Sequence, residues 1–156
     1  NKLLTKKIKK MGRVFFNTRK NIHNITADYT VLASDSNKTF IVLPAATTAV
    51  TLPAPATAGE GWNCNIILQS DSGFGGDALM DQKVNIDLSA GTANVGIIHG
   101  GDAGGSDQAV ENDDFIACTA NASPGDRFEI LCDGTRYYVT GWVIDSSETP
   151  FATAAG

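Results

Sequence analysis

The side chains most often used in catalysis are few and widely separated in this sequence. It contains two histidines, His23 and His99, and three cysteines, Cys64, Cys118 and Cys132. A nucleophilic triad needs a histidine base, and neither histidine lies near a G-x-S-x-G motif or a cysteine pattern. The cysteines contain no CxxC pair, so they indicate neither zinc nor a disulfide framework. We therefore expect no catalytic residue, no metal and no cofactor, with structural or surface histidines and small buried cysteines.

One acidic, glycine-rich segment could hold a hard cation. Residues 100–114 contain five carboxylates and four glycines. Oxygen ligands on a flexible backbone suit Ca²⁺, but the spacing matches neither an EF-hand nor a nonapeptide calcium repeat. The segment is predicted to be a solvated surface loop, with a cation site as the alternative.

Basic residues are concentrated at the amino-terminal end. Residues 1–27 contain eight Lys or Arg and no Asp or Glu, whereas residues 28–156 contain four basic and seventeen acidic residues, so the two parts carry +8 and −13. Leu4, Ile8 and Met11 recur at the spacing of one helical stripe. An isolated helix of this length is marginal in water, so we predict an extended or partly helical arm that becomes ordered on a partner. The residues predicted to bind that partner are Leu4, Lys6, Lys7, Ile8, Lys9, Lys10, Met11, Arg13, Phe15, Phe16, Arg19 and Lys20.

Three kinds of partner could receive such an arm: nucleic acid phosphates, an anionic membrane or an acidic protein groove. Phe15 and Phe16 favour a partner with an apolar foothold, and the −13 body would repel a nucleic acid. No stretch approaches the roughly 18 consecutive apolar residues that a membrane span requires. We therefore expect a protein partner and neither nucleic acid nor a membrane, with a solvated, disordered extension as the alternative.

The remainder of the sequence is typical of β structure. Sixteen glycines and five prolines punctuate short runs rich in Thr, Val and Ile, and no long helical period follows residue 27. The clearest element is a hairpin over residues 125–142, with Phe128, Ile130 and Cys132 on one face and a tight turn at Asp133-Gly134. The predicted strands cover residues 30–34, 39–43, 49–52, 64–69, 83–88, 94–98, 114–119, 127–132 and 136–144.

These elements predict an all-β domain, a small sandwich or barrel of tulip-like form, over residues 28–145. The basic arm of residues 1–27 precedes it, and a polar surface tail of residues 146–156 follows it. The large aromatic side chains assigned to core and sheet packing are Trp62, Tyr137, Tyr138 and Trp142.

Two segments carry a resemblance to a known family. YTVLASDSNKTF at residues 29–40, followed by TLPAP at 51–55, resembles the opening of small structural proteins of tailed bacteriophages. PGDRFEILCDGTRYYVTG at residues 124–141 resembles the ending of the same group, the head decoration or cement proteins. The likeness covers residues 28–144; the basic arm is additional to the family's usual pattern, and Ser36-Asn37 replaces its more common Ser-Gly.

The resemblance implies a structural virion protein without an active site. It would lie on the outer surface of a phage capsid, as a homotrimer at local three-fold positions, and stabilise the shell by bridging subunits of the major capsid protein. Related β-modules occur in tail fibres and appendages. The alternative is therefore a fibre or appendage subunit that binds host-surface glycans through exposed aromatic side chains.

Overall fold

The computed structural model describes residues 21–70, 83–89, 94–100, 107–111, 113–119, 122–144 and, as backbone, 151–154. In this part of the chain the strands alternate with a 3₁₀ turn at Ala33–Asp35 and a single helical turn, α1, at Pro55–Ala58. The strands are β1 (Asn21–Ile25), β2 (Tyr29–Thr30), β3 (Lys38–Val42), β4 (Thr48–Thr51), β5 (Glu60–Leu68), β6 (Val84–Asp87), β7 (Val95–Gly100), β8 (Gln108–Glu111), β9 (Phe115–Cys118), β10 (Arg127–Asp133), β11 (Tyr137–Val143) and β12 (Phe151–Ala154).

The strands form two sheets, which confirms the predicted all-β class. The larger sheet has the order β1-β3-β5-β10-β11-β7-β8, and the smaller has the order β12-β9-β6-β4-β2. From β1 to β6 the chain alternates between the sheets, so β1, β3 and β5 run parallel in one and β2, β4 and β6 run parallel in the other. The hairpin of β10 and β11 then adds antiparallel pairing to the larger sheet.

A single apolar core lies between the sheets. It follows from the two-residue period of a strand, which sends alternate side chains to opposite faces. In β10, Phe128, Ile130 and Cys132 are buried and the residues between them are exposed, as the sequence predicts. Ile86 of β6 and Ile116 of β9 enter the same core from the smaller sheet.

Two buried aromatic side chains of the larger sheet pack together, and one of them holds the loop before α1. The rings of Trp62 and Tyr137 lie 5.8 Å apart in an edge contact, and the Tyr137 hydroxyl donates a hydrogen bond to the carbonyl oxygen of Pro53. Burial raises the pKa of Tyr137, so the phenol stays protonated and remains a donor. The loop before α1 is thereby attached to the centre of the larger sheet.

The body begins earlier than the charge pattern predicts. Asn21–Ile25, assigned to the basic arm, forms β1 and pairs in parallel with β3. The predicted boundary at residue 27 therefore lies beyond the first strand. A change in charge marks a change in surface chemistry, whereas the structural boundary is set by backbone pairing between distant residues.

Three other segments also differ from expectation. Residues 146–156, predicted to be a surface tail, contain β12, which pairs antiparallel with β9. The acidic 100–114 segment contains β8, an edge strand paired with β7. The strand predicted over residues 30–34 ends at Thr30 and gives way to the 3₁₀ turn. The Asp35 carboxylate accepts the Leu32 backbone N–H at 2.9 Å, which closes the chain into that turn.

Candidate interaction surfaces

The two histidines lie in different environments on the larger sheet. His23 packs against Tyr29 and Phe40, with ring centroids 4.7 and 5.9 Å away. His99 Nδ1 lies 3.3 Å from a carboxylate oxygen of Asp107. Each ring therefore has a packing or surface partner, in agreement with the structural or surface role predicted for both histidines.

The three cysteines are free and buried, which confirms that prediction. Burial raises the pKa of Cys64 to about 12. Burial, with a smaller contribution from Asp126, also raises the pKa of Cys118, and burial raises that of Cys132. A thiol is a nucleophile and metal ligand as its thiolate, so these groups are inert at neutral pH. Within the described residues, no group of three His, Cys, Asp or Glu side chains could hold a metal ion.

The acidic segment is only partly a loop. Gln108–Glu111 is strand β8, and the Asp113 carboxylate accepts the Glu111 backbone N–H at 3.1 Å. Asp102, one of the five carboxylates in this segment, lies outside the described residues, as do the glycines at 101, 104 and 105. Of the described carboxylates, Asp113 therefore stabilises the exit of β8, and Asp107 lies next to His99 of β7.

Every residue predicted to bind through the arm lies outside the described part of the chain, which begins at Asn21. No helix among the described residues is long and apolar enough to cross a membrane. The described part of the chain therefore begins with the strand that directly follows these residues, β1 at the edge of the larger sheet.

That place has exposed apolar side chains, and we call it the entry corner: Asn21, Ile22, Leu32, Asp35 and Lys38. Lys38 pairs with Asn21 across the sheet, and its ammonium lies 2.7 Å from the Asp35 carboxylate. Ile22 and Leu32 are 57% and 56% exposed. Two apolar side chains thus stay in water next to the point where the basic segment joins the sheet.

Asp35 is the electrostatic centre of the entry corner. Burial raises its pKa, but hydrogen bonds from Lys38 and the Leu32 backbone outweigh burial, and the net pKa lies below the ordinary value. The Asp35 hydrogen bond raises the pKa of Lys38. The pair is therefore ionised at neutral pH and links the 3₁₀ turn to β3.

The second surface is the outer face of the larger sheet, the side that faces away from the core. Among the described residues, most of the solvent-exposed large apolar side chains lie on this face or at its margin. They are Ile22, Ile97, Leu131, Tyr138 and Ile144. Leu131 and Tyr138 are directly opposite each other on neighbouring strands, so they form an adjoining apolar pair on this face.

A shallow depression of about 390 Å³ crosses this face, and we call it the polar groove. Its lining includes Asn63, Asn65, Glu129, Leu131, Tyr138 and Thr140. Tyr138 is 42% exposed, and its hydroxyl donates to the Asp133 carboxylate at 3.0 Å. That hydrogen bond raises the pKa of Tyr138 and fixes the ring at the rim of the groove.

A second depression of about 440 Å³, the tryptophan groove, lies at the end of the same face. Its lining includes His99, Arg127, Trp142 and Ile144. The guanidinium carbon of Arg127 lies 4.9 Å from the centroid of the Trp142 ring, within reach of a cation–π contact. His99 flanks the same indole, with ring centroids 6.2 Å apart. Arg127, Trp142 and His99 thus form one row across three neighbouring strands.

The aromatic side chains divide between core and surface. Trp62 and Tyr137 are buried, as predicted. Tyr138 and Trp142, assigned to core and sheet packing, instead point to the outer face, where Tyr138 is exposed and Trp142 is half-buried. The strand period contained this information, because residues 138 and 142 have the parity opposite to the buried Tyr137.

Comparison with models of known protein families finds no match, and comparison with curated proteins finds no significant similarity. The fold and these surfaces therefore carry the functional argument together with the sequence resemblance.

Proposed function

We propose that this protein is a structural attachment module, and specifically a decoration protein of a phage capsid. In this proposal the β body sits on the outer surface of the head as a homotrimer and bridges major capsid subunits. The basic arm makes the main contact. The supporting observation is the entry corner, where the body begins at an edge strand and Ile22 and Leu32 remain exposed.

The arm and the corner would act together. Apolar arm residues such as Ile8, Phe15 and Phe16 would supply most of the affinity, because a segment that becomes ordered on binding needs buried apolar anchors. The lysines would select an acidic capsid surface and speed the encounter. In a closed trimer, each of the three arms would reach a different capsid subunit. Three weak contacts would then give a higher overall affinity than one.

Deletion of residues 1–20 tests the proposal, because this cut stops before β1 and leaves the sheet edge intact. The truncated protein should fold and should no longer add to phage heads that lack a decoration protein, as measured by co-sedimentation and electron microscopy. Full occupancy by the truncated protein would contradict the role of the arm. Failure of the full-length protein to bind heads would overturn the decoration proposal itself.

Two matched arm variants separate charge from apolar contact. Replacing Lys6, Lys7 and Lys9 by Gln should slow association and make binding less sensitive to salt. Replacing Ile8, Phe15 and Phe16 by Ser should lower occupancy at every salt concentration, because it removes the buried anchors.

A tail fibre or appendage subunit that binds host-surface glycans is the second candidate function. The observation that favours it is the position of Tyr138 and Trp142 on the outer face, both lining grooves. Aromatic side chains at a solvent-facing groove are the groups that such a protein would present to a sugar.

A further inference from the structure

Three polar side chains stand in line across the polar groove. Glu129 of β10 is directly opposite Asn65 of β5 on one side and Thr140 of β11 on the other. Neighbouring strands are about 4.8 Å apart, so the groove presents one polar group per strand. Within the described part of the chain, none of these three side chains forms a hydrogen bond. Their donors and acceptors are therefore available to a ligand.

Two aromatic side chains of β11 lie on either side of this polar line. Tyr138 and Trp142 lie two residues before and two residues after Thr140, so all three share the outer face of β11. Two residues of strand span about 6.6 Å, which places one aromatic ring on each side of the line. Leu131, directly opposite Tyr138 and 49% exposed, extends the apolar rim.

This arrangement fits the chemistry of a sugar chain. A pyranose ring carries hydroxyls on its edge and C–H groups on its faces. A carboxylate such as Glu129 accepts hydrogen bonds from two hydroxyls, an amide such as Asn65 donates and accepts, and an aromatic ring packs against the C–H face. The spacing of one polar group per strand suits a ligand whose hydroxyls repeat along its length.

The charges disfavour an anionic ligand. Among the exposed residues of β10, Arg127 carries one positive charge, and Glu129 and Asp133 carry two negative charges, so an anionic polymer would be repelled there. Of the described residues that line the polar groove, Glu129 is the one carboxylate. Glycoside hydrolysis uses a pair of carboxyl groups, so the groove is suited to binding rather than to cleavage.

We propose that the polar groove binds a neutral oligosaccharide, with Asn65, Glu129 and Thr140 contacting its hydroxyls and Tyr138 packing against a ring face. The inference deepens the second candidate function and rests on it for its biological setting. It does not depend on attachment of the arm to a capsid.

The test uses the full-length protein and an array of neutral gluco-, galacto- and manno-oligosaccharides, followed by calorimetric titration of the best binder. Asn65→Ala and Glu129→Gln should each weaken binding about tenfold, the effect of losing one hydrogen bond to a ligand in this kind of groove. Asn85→Ala is the matched control, because Asn85 is an exposed strand asparagine on the smaller sheet. It should leave the affinity unchanged.

Two outcomes would overturn the proposal: no neutral oligosaccharide binds at millimolar concentration, or the best binder is insensitive to both substitutions. Addition to phage heads is measured on the same variants. If Glu129→Gln impairs head binding while the array is blank, the outer face contacts protein, and the oligosaccharide proposal fails while capsid decoration stands. If the protein binds sugar as expected but does not bind phage heads, the capsid decoration proposal fails and the oligosaccharide proposal stands.

Discussion

Gly96 lies where two strands of the larger sheet approach too closely for a side chain. A Cβ atom at Gly96 would be 2.1 Å from the carbonyl oxygen of Val139, its partner on the neighbouring strand. The clash involves backbone, so a change of rotamer cannot relieve it. The absence of a side chain at this position is therefore required for β7 to pair with β11.

Gly96→Ala should destabilise the protein by about 2–3 kcal/mol, the usual cost of overpacking. Gly61→Ala is a matched control, since a Cβ there meets no atom within 4 Å and the only penalty is its positive φ of 81°. That penalty is about 1 kcal/mol. Urea unfolding of both variants measures the difference, and an equal loss in the two would contradict the packing argument.

Asp133 organises the turn of the β10–β11 hairpin. Its carboxylate accepts hydrogen bonds from the Thr135 hydroxyl, the Thr135 backbone N–H and the Arg136 backbone N–H, at 2.7, 2.8 and 2.9 Å. The bonds from Thr135 are the main reason that the pKa of Asp133 lies well below its ordinary value. Gly134 follows with a φ of 88°, as the Asp-Gly pair in the sequence predicts.

The turn should therefore lose stability in acid. A carboxyl group whose folded pKa is lowered contributes stability above its unfolded pKa of about 3.9 and loses it as the pH falls toward the folded pKa. Wild type should be more stable than Asp133→Asn at pH 7, and the difference should shrink steadily below about pH 4. Urea titrations from pH 7 to pH 2 measure it. A difference that does not change with pH would show that the ionised carboxylate is not the stabilising form.

At the scale of elements, β12 protects an edge of the smaller sheet. Its backbone pairs with β9 from Phe151 opposite Cys118 to Ala154 opposite Phe115. Without β12, β9 would become an edge strand with unpaired backbone groups, and such edges exchange amide protons quickly and promote association.

Removal of residues 151–156 should therefore increase amide hydrogen exchange in β9 and lower the concentration at which the protein aggregates. Removal of residues 155–156 alone is the control, because it leaves the four paired residues of β12 in place. Hydrogen exchange followed by mass spectrometry makes the comparison. If β9 keeps its protection without β12, the pairing does not stabilise this edge.

Comparison of the predicted and observed strands shows which elements the sequence patterns could predict. The sequence patterns correctly placed the two hairpin strands and the buried face of β10, and they placed strands at β5, β6 and β9, because strand alternation and turn residues are local properties. They missed β1, β8 and β12, whose residues are polar, small or glycine-flanked. These strands lie at sheet edges and are held by distant partners, so their local sequence carries little of the signal.

At the scale of the whole molecule, the described core is built from residues that follow the basic segment in the chain. Every described residue of the core cluster lies at Ile25 or later in the chain. Deletion of residues 1–20 should therefore leave the free energy of unfolding, measured by urea titration, nearly unchanged. Loss of the proposed capsid binding in the same variant would then be a loss of attachment and not of folding.

By itself the sequence determined the β class, the buried face of β10 and the division into a +8 segment and a −13 remainder. All three depend on residue type and on neighbours a few positions away. Only the tertiary structure decided that β1, β3 and β5 run parallel, and that Asn65, Glu129 and Thr140 stand in one line. That register depends on which strands pair across long sequence separations, and alternation within one strand is equally compatible with many partners.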